Sequence, residues 1–347
     1  MLTALVDPPR DVAVGIVVLE GAVDRSNELR TTRDLYKGVV LSPGRTTVSS
    51  DSQPRSRLRL LIDRFGFPHL LATTLVLVAA TILLGVAAKA TGSGLACEAN
   101  WPQCDAGPWN LFPANIPSFY EWIHRFVAMF AGVAIIGSAL SAWRTPTVDS
   151  RVATLVVLGM ILTPIQVYLG RETVLAYDLE ILSLHFWTAV LIFALFVVAT
   201  LLVWQASLTK GHILGALGLG VLALPVQLLL SPFILEAITN SVAFLDLTYS
   251  SPTVQMTHYA SSLAIVGSVI AAGTVGRWKL EDGRLLGLLA GTGLVAFVVV
   301  FLGRQTTMTV NTTLESLYFG TAVVLLIAFS VSLWAVRNAA EPRSRRL

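Results

Sequence analysis

The residues best placed to do chemistry sit together at the start of one apolar run: Glu121, His124 and Arg125, within Phe119-Tyr-Glu-Trp-Ile-His-Arg-Phe126. Residues three apart share a helix face, so Glu121 and His124 point the same way if the run is helical. Ionisable groups at membrane depth are costly and are kept where they pair, face a protein interior or act on a ligand. His185, His258 and Tyr318 occur in three further apolar runs. Two imidazoles from helices of one bundle, at one depth, suit the axial coordination of a haem iron. A bare metal ion usually takes three or four close ligands, and no cluster of cysteines and carboxylates supplies them. A carboxylate one turn from such a histidine lies beside a bound ring, where it can take a proton or steady a cationic intermediate. The plainer reading keeps these side chains as polar groups in helix packing or at the water interface. His69 and His212, at the opposite ends of their spans, fit that plainer reading.

The elements that must position these residues are membrane helices. The chain is 54% hydrophobic and 13% charged, against about 25% charged in soluble domains. Apolar runs at 67–88, 120–143, 152–170, 183–206, 213–233, 254–276, 285–303 and 314–336 are each long enough to cross a bilayer, which takes about 20 residues. With the loop after the first span outside, the inner side collects Arg55, Arg57, Arg59, Arg64, Arg144, Arg151, Lys210, Arg277, Lys279, Arg284, Arg337, Arg343, Arg345 and Arg346. The outer side holds only Lys89, Arg125, Arg171 and Arg304. This asymmetry predicts a multi-pass protein of the cell membrane with both termini cytoplasmic. Net charge is only +3 and is spread over many loops, which argues against nucleic acid as a partner. Residues 1–64, rich in Ser, Thr and Arg, contain no span and read as a disordered cytoplasmic extension.

The two halves of the chain resemble each other. Leu169-Gly-Arg-Glu-Thr-Val precedes Leu184-His-Phe-Trp-Thr-Ala189, and Leu302-Gly-Arg-Gln-Thr-Thr precedes Leu317-Tyr-Phe-Gly-Thr-Ala322. Fifteen positions separate Gly170 from His185, and fifteen separate Gly303 from Tyr318. Glu121-Trp-Ile-His124 likewise matches Gln255-Met-Thr-His258. Repeats of four spans each keep one orientation and predict halves related by an axis along the membrane normal. At about 1.5 Å per helical residue, His124, His185, His258 and Tyr318 fall at one level below the outer surface. The expected fold is therefore an all-α membrane protein of eight transmembrane helices in two repeated four-helix bundles. Residues 65–208 form the first half, 209–337 the second, and 338–347 a cytoplasmic tail.

Arg125, Arg171 and Arg304 share that outer level. A guanidinium there suits a porphyrin propionate, which it binds bidentately, and equally suits lipid headgroups. The first outer loop, about 89–119, carries the chain's two cysteines, Cys97 and Cys104. Outside the membrane such a pair suits a loop-shaping disulfide or a redox-active dithiol.

These residues resemble the heme A synthase family, and its prokaryotic members in particular. The resemblance covers about residues 67–336 and rests on Thr91-Gly-Ser-Gly-Leu-Ala-Cys97, Trp101-Pro-Gln-Cys104, Glu121-x-x-His124-Arg125, Gln166-x-x-Leu-Gly170 with His185, and His258. It implies a first half that holds haem O as substrate between His124 and His185, with Glu121 as the essential carboxylate and Cys97–Cys104 as a disulfide. It also implies a second half with a haem B cofactor between two histidines. There the sequence departs from the pattern, for Tyr318 stands where the second histidine is expected. A His258/Tyr318 iron site, a haem held by His258 alone and a half without haem are all compatible with that change. Met308 is a further conceivable ligand.

The activity implied is oxidation of the C8 methyl of haem O to a formyl group, giving haem A for a terminal oxidase. Oxygen would come from water or dioxygen, and electrons would pass to an external acceptor. The implied partners are a haem O synthase, the oxidase assembly pathway, membrane lipid and a second copy of the chain. The alternative is a dihaem b-type electron carrier, which uses paired histidines and gives Glu121 no task. A transporter would suit the internal repeat, yet the sequence shows no pair of helices broken by Gly and Pro at mid-depth.

Overall fold

The computed structural model describes residues 66–95, 101, 112–113, 115–175, 178–241, 248–309 and 311–339. Residues 1–64, Cys97 and Cys104 with their expected disulfide, and the end of the tail lie outside the described residues. The described residues form α1 (Phe67–Ala90), α2 (Ile116–Arg144), α3 (Ser150–Leu175), α4 (Leu179–Val203) and α5 (Lys210–Leu229). They continue as a short α6 (Pro232–Ser241), then α7 (Pro252–Lys279), α8 (Gly283–Thr306) and α9 (Thr312–Asn338). All except α6 are long and apolar enough to cross a membrane, so the chain is a multi-pass all-α membrane protein with eight such helices among the described residues.

Local sequence fixes where the helices start. Asn115 accepts from the Ser118 amide while the Ser118 hydroxyl meets the Asn115 amide, so α2 opens on a reciprocal cap. Asp178, Asp282 and Asn311 accept from the first free amides of α4, α8 and α9. His212 closes a similar box with Thr209 at the start of α5, and His69 packs edge-on against Trp204. Both of these histidines therefore have structural tasks. The fifth span ends at Leu229, short of the predicted 233, because the chain turns at Leu230–Ser231 and Pro232 restarts it as α6.

Packing groups the spans into two rings. In the first, α1 touches α2 and α4, and α3 touches the same two; in the second, α5 touches α7 and α9, and α8 touches the same two. The seam between the rings is α7, which also packs on α1 and α4. Phe196, eleven residues beyond His185, fills the first core, and Phe329, eleven beyond Tyr318, fills the second. Buried hydroxyls and amides tie helices together: Thr74 to Ser138, Gln227 to Ser262, and Thr292 to Ser332, at 2.9–3.0 Å. In an apolar surround each such bond contributes about 0.6 kcal/mol.

Candidate functional site

Each of the first four helices sends a residue to one place, near the C-terminal ends of α1 and α3 and the N-terminal ends of α2 and α4. From α2, Glu121, His124 and Arg125 lie on one face, as the i, i+3, i+4 spacing requires. The Arg125 Nε donates to Glu121 Oε1 at 2.9 Å, and Glu121 Oε2 stands 4.0 Å from His124 Nδ1. The carboxylate is buried and held between a guanidinium and an imidazole. From α4, His185 places Nε2 3.4 Å from the Gln166 amide of α3. Glycines on the two remaining walls let the rings come close. A methyl on Gly85 of α1 would lie 3.1 Å from His124 Nε2, and one on Gly170 of α3 would lie 3.0 Å from His185 Cε1.

The space around these residues has two lobes. A lobe of about 870 Å³ opens between α2 and α3 and is walled by Trp122, Phe126, Met129 and Val167. A lobe of about 340 Å³ reaches toward the second half and the ends of α1 and α8. His124, His185, Glu121, Gln166 and Gly170 line both. The larger lobe is bordered by an aromatic row, with ring centroids 5.3 Å apart for Trp122 and Phe126 and 4.9 Å for Phe126 and Phe130. Among the described residues, no group of three His, Cys, Asp or Glu side chains is arranged to hold a bare ion. Two imidazoles on a space of this size match a flat macrocycle that brings its own equatorial donors.

The arginines part company. Arg125 lines the larger lobe and holds Glu121. Arg171 turns to its neighbour Glu172, is substantially exposed and lines neither lobe. Arg304, a residue of the second half, lines the smaller lobe of the first. Lys89 lines it too and donates to Met308 Sδ at 3.3 Å, which occupies the methionine that the sequence offered as a ligand.

The matching region of the second half is closed. His258 is 1% exposed, Tyr318 3% and Gln227 0%, while the His124 side chain keeps 18%. A gap able to take a porphyrin would leave its lining open to water-sized molecules, and these residues have almost no such surface. Tyr318 repeats the approach that His185 makes in the first half, its ring 3.0 Å from a methyl built on Gly303, and Gln227 fills the other side at 3.2 Å. His258 Nδ1 and the Tyr318 hydroxyl lack hydrogen-bond partners, yet the packing leaves no room beside them for a macrocycle. The residues do not fit haem B as they stand. Where α2 carries Glu121, α7 carries Gln255, whose amide donates to the Tyr249 carbonyl at 3.0 Å.

Sequence reasoning did not single out Gly85 or the direction of Arg304. Gly85 is one of 26 glycines in the chain and no motif marks it, so only the turn of α1 toward His124 gives it a task. The route of Arg304 depends on α7 forming the seam.

Comparison with known proteins gives the same direction. Over 208 residues the chain is 27% identical to a protein named heme A synthase from Bacillus licheniformis, covering 54% of this chain and 68% of that one. A heme A synthase from Bacillus pumilus matches at 28% over 160 residues, or 45% of this chain and 51% of the relative. A protoheme IX farnesyltransferase from Halobacterium salinarum matches at 34% over 148 residues, 42% of this chain and 31% of the relative. The chain thus spans about half to two thirds of these synthases and under a third of the farnesyltransferase. No family model matches the chain, and no solved structure does. With eight apolar spans and matches at 27–28% identity, the chain is similar to heme A synthases from several bacilli.

Proposed function

We propose that the chain oxidises the C8 methyl of haem O to a formyl group, giving haem A for a terminal oxidase. The observation that carries this reading is the meeting of His124, His185 and Glu121, from two helices, on one cavity. His124 and His185 hold the iron of the substrate. Gln166, 3.4 Å from His185 Nε2, orients that imidazole. Arg125 fixes the Glu121 carboxylate through a charge-assisted bond, and the acid takes protons from the reacting methyl. With water as the oxygen source, methyl to formyl releases four electrons and four protons, so an external electron acceptor is required. The apolar larger lobe, open between α2 and α3, takes the isoprenoid tail, which enters sideways from the lipid.

Residues 65–208 are in this reading the substrate half, 209–337 a supporting half related to it by repetition, and both termini are cytoplasmic. The matches to proteins named protoheme IX farnesyltransferase support a substrate that is a farnesylated haem. Because the surroundings of His258 and Tyr318 are packed, the reaction is assigned to the first-half site alone.

The test is expression with a source of haem O, followed by identification of the extracted haems by mass. Haem A or its hydroxymethyl precursor is expected. Haem B alone would indicate an electron carrier, and no haem would sink both readings.

A further inference from the structure

The smaller lobe ends on two cations for which the reaction above has no task. Lys89 lies in the last turn of α1 and Arg304 in the last turn of α8, so one comes from each half. Cations at helix C-termini commonly serve the helix dipole, and they do so from water. Arg304 is only 4% exposed. Its guanidinium carbon sits 4.7 Å over the Phe186 ring, its Nη1 donates to the Tyr259 hydroxyl at 2.7 Å, and its Nε has no acceptor. Tyr259 in turn meets Thr307 at 2.8 Å, which fixes the guanidinium from the α7 side. Lys89 donates to a thioether, a weak acceptor that carries no charge. Among the described residues, neither cation stands within ion-pair distance of a carboxylate. A positive pair with one member buried and the other partly buried is expensive unless an anion completes it. The lobe that they end is the one into which His124 and His185 also open.

We propose that Lys89 and Arg304 form the carboxylate-binding end of this cavity and take the propionate groups of a porphyrin whose iron lies on His124 and His185. The second half then contributes to the substrate site directly, by lending Arg304 across the seam. This proposal rests on the assignment of His124 and His185 as the iron-holding pair. The same anion chemistry is offered by lipid headgroup phosphates, so the experiment separates the two sources.

The purified full-length chain in neutral detergent is titrated with ferric haem B and, separately, with its dimethyl ester, following the absorbance change of the iron. The diacid should bind more tightly than the ester by about tenfold or more, the scale of one charge-assisted hydrogen bond. Lys89→Met should reduce that preference, and Lys89→Met with Arg304→Gln should abolish it, while Arg304→Lys retains part of it. Equal affinity for diacid and ester, or an unchanged preference in Lys89→Met, would overturn the proposal. Should Arg304→Gln not fold, Lys89→Met and Arg304→Lys still decide. Adding an anionic phospholipid should leave the preference in place. A preference erased by that lipid assigns the cations to headgroups and refutes the propionate site. Binding that survives His124→Ala but is lost in His258→Ala would instead refute the iron assignment on which the proposal rests.

Discussion

At the scale of single residues, Glu121 separates an oxidising enzyme from a haem carrier. Its carboxylate is buried, held at 2.9 Å by Arg125 and directed into the same space as the two imidazoles. Glu121→Gln keeps the shape and removes the proton acceptor. It should retain bound haem and slow formyl production by about 10²–10⁴-fold, the usual range for loss of a positioned acid or base. Quantifying haem A against total haem in that variant checks it, and normal output would remove Glu121 from the mechanism. Glu121, His124 and His185 were legible in the sequence because ionisable side chains stand out in apolar runs. Gly85 was not, because its role is the absence of a side chain at 3.1 Å from an imidazole. Arg171 and Arg304 look alike in sequence, since both follow a Leu-Gly pair. Their destinations differ because Glu172 captures Arg171, whereas Arg304 meets Phe186 and Tyr259.

At the scale of helices, the spans were legible because length and hydropathy are summed over many residues and tolerate local error. Their packing depends on single close approaches that no average records. Gly159 of α3 is one: a methyl there would lie 2.7 Å from Cε2 of Phe196, a ring with no exposed surface and nowhere to go. Gly159→Ala should therefore lower stability by about 1–3 kcal/mol, the cost of overpacking a tight core. Gly215→Ala, with nothing within 4 Å, should be neutral or mildly stabilising. Thermal unfolding of both variants in detergent, followed by tryptophan fluorescence, compares them directly, and equal midpoints would contradict this packing. The break between α5 and α6 shows the limit of hydropathy: Leu228 to Ser231 is apolar enough to extend a span, and only the turn before Pro232 stops it.

For the whole molecule, like neighbour relations join unlike interiors. The two rings have the same order of contacts, and Gly170–His185 and Gly303–Tyr318 make the same approach at 3.0 Å. The sequence match between the halves led to the expectation of a repeat, but nothing in it disclosed that Gln227 and Tyr318 pack closely in the second interior. Orientation is a property of the entire chain, set by the summed Lys and Arg asymmetry of its loops. A fluorescent reporter fused after Leu347 should fold and fluoresce, as expected for a cytoplasmic terminus, and a periplasmic phosphatase fused there should stay inactive. The opposite pair of results would invert the orientation.

The central claim is that one iron is held by two imidazoles of the first four helices. The most direct measurement is the electron paramagnetic resonance spectrum of the ferric haem-loaded chain and of its single histidine variants. The account predicts a low-spin, two-imidazole signal that persists in His258→Ala and turns high-spin, or disappears with the haem, in His124→Ala and in His185→Ala. A signal lost in His258→Ala and unchanged in both first-half variants would contradict it.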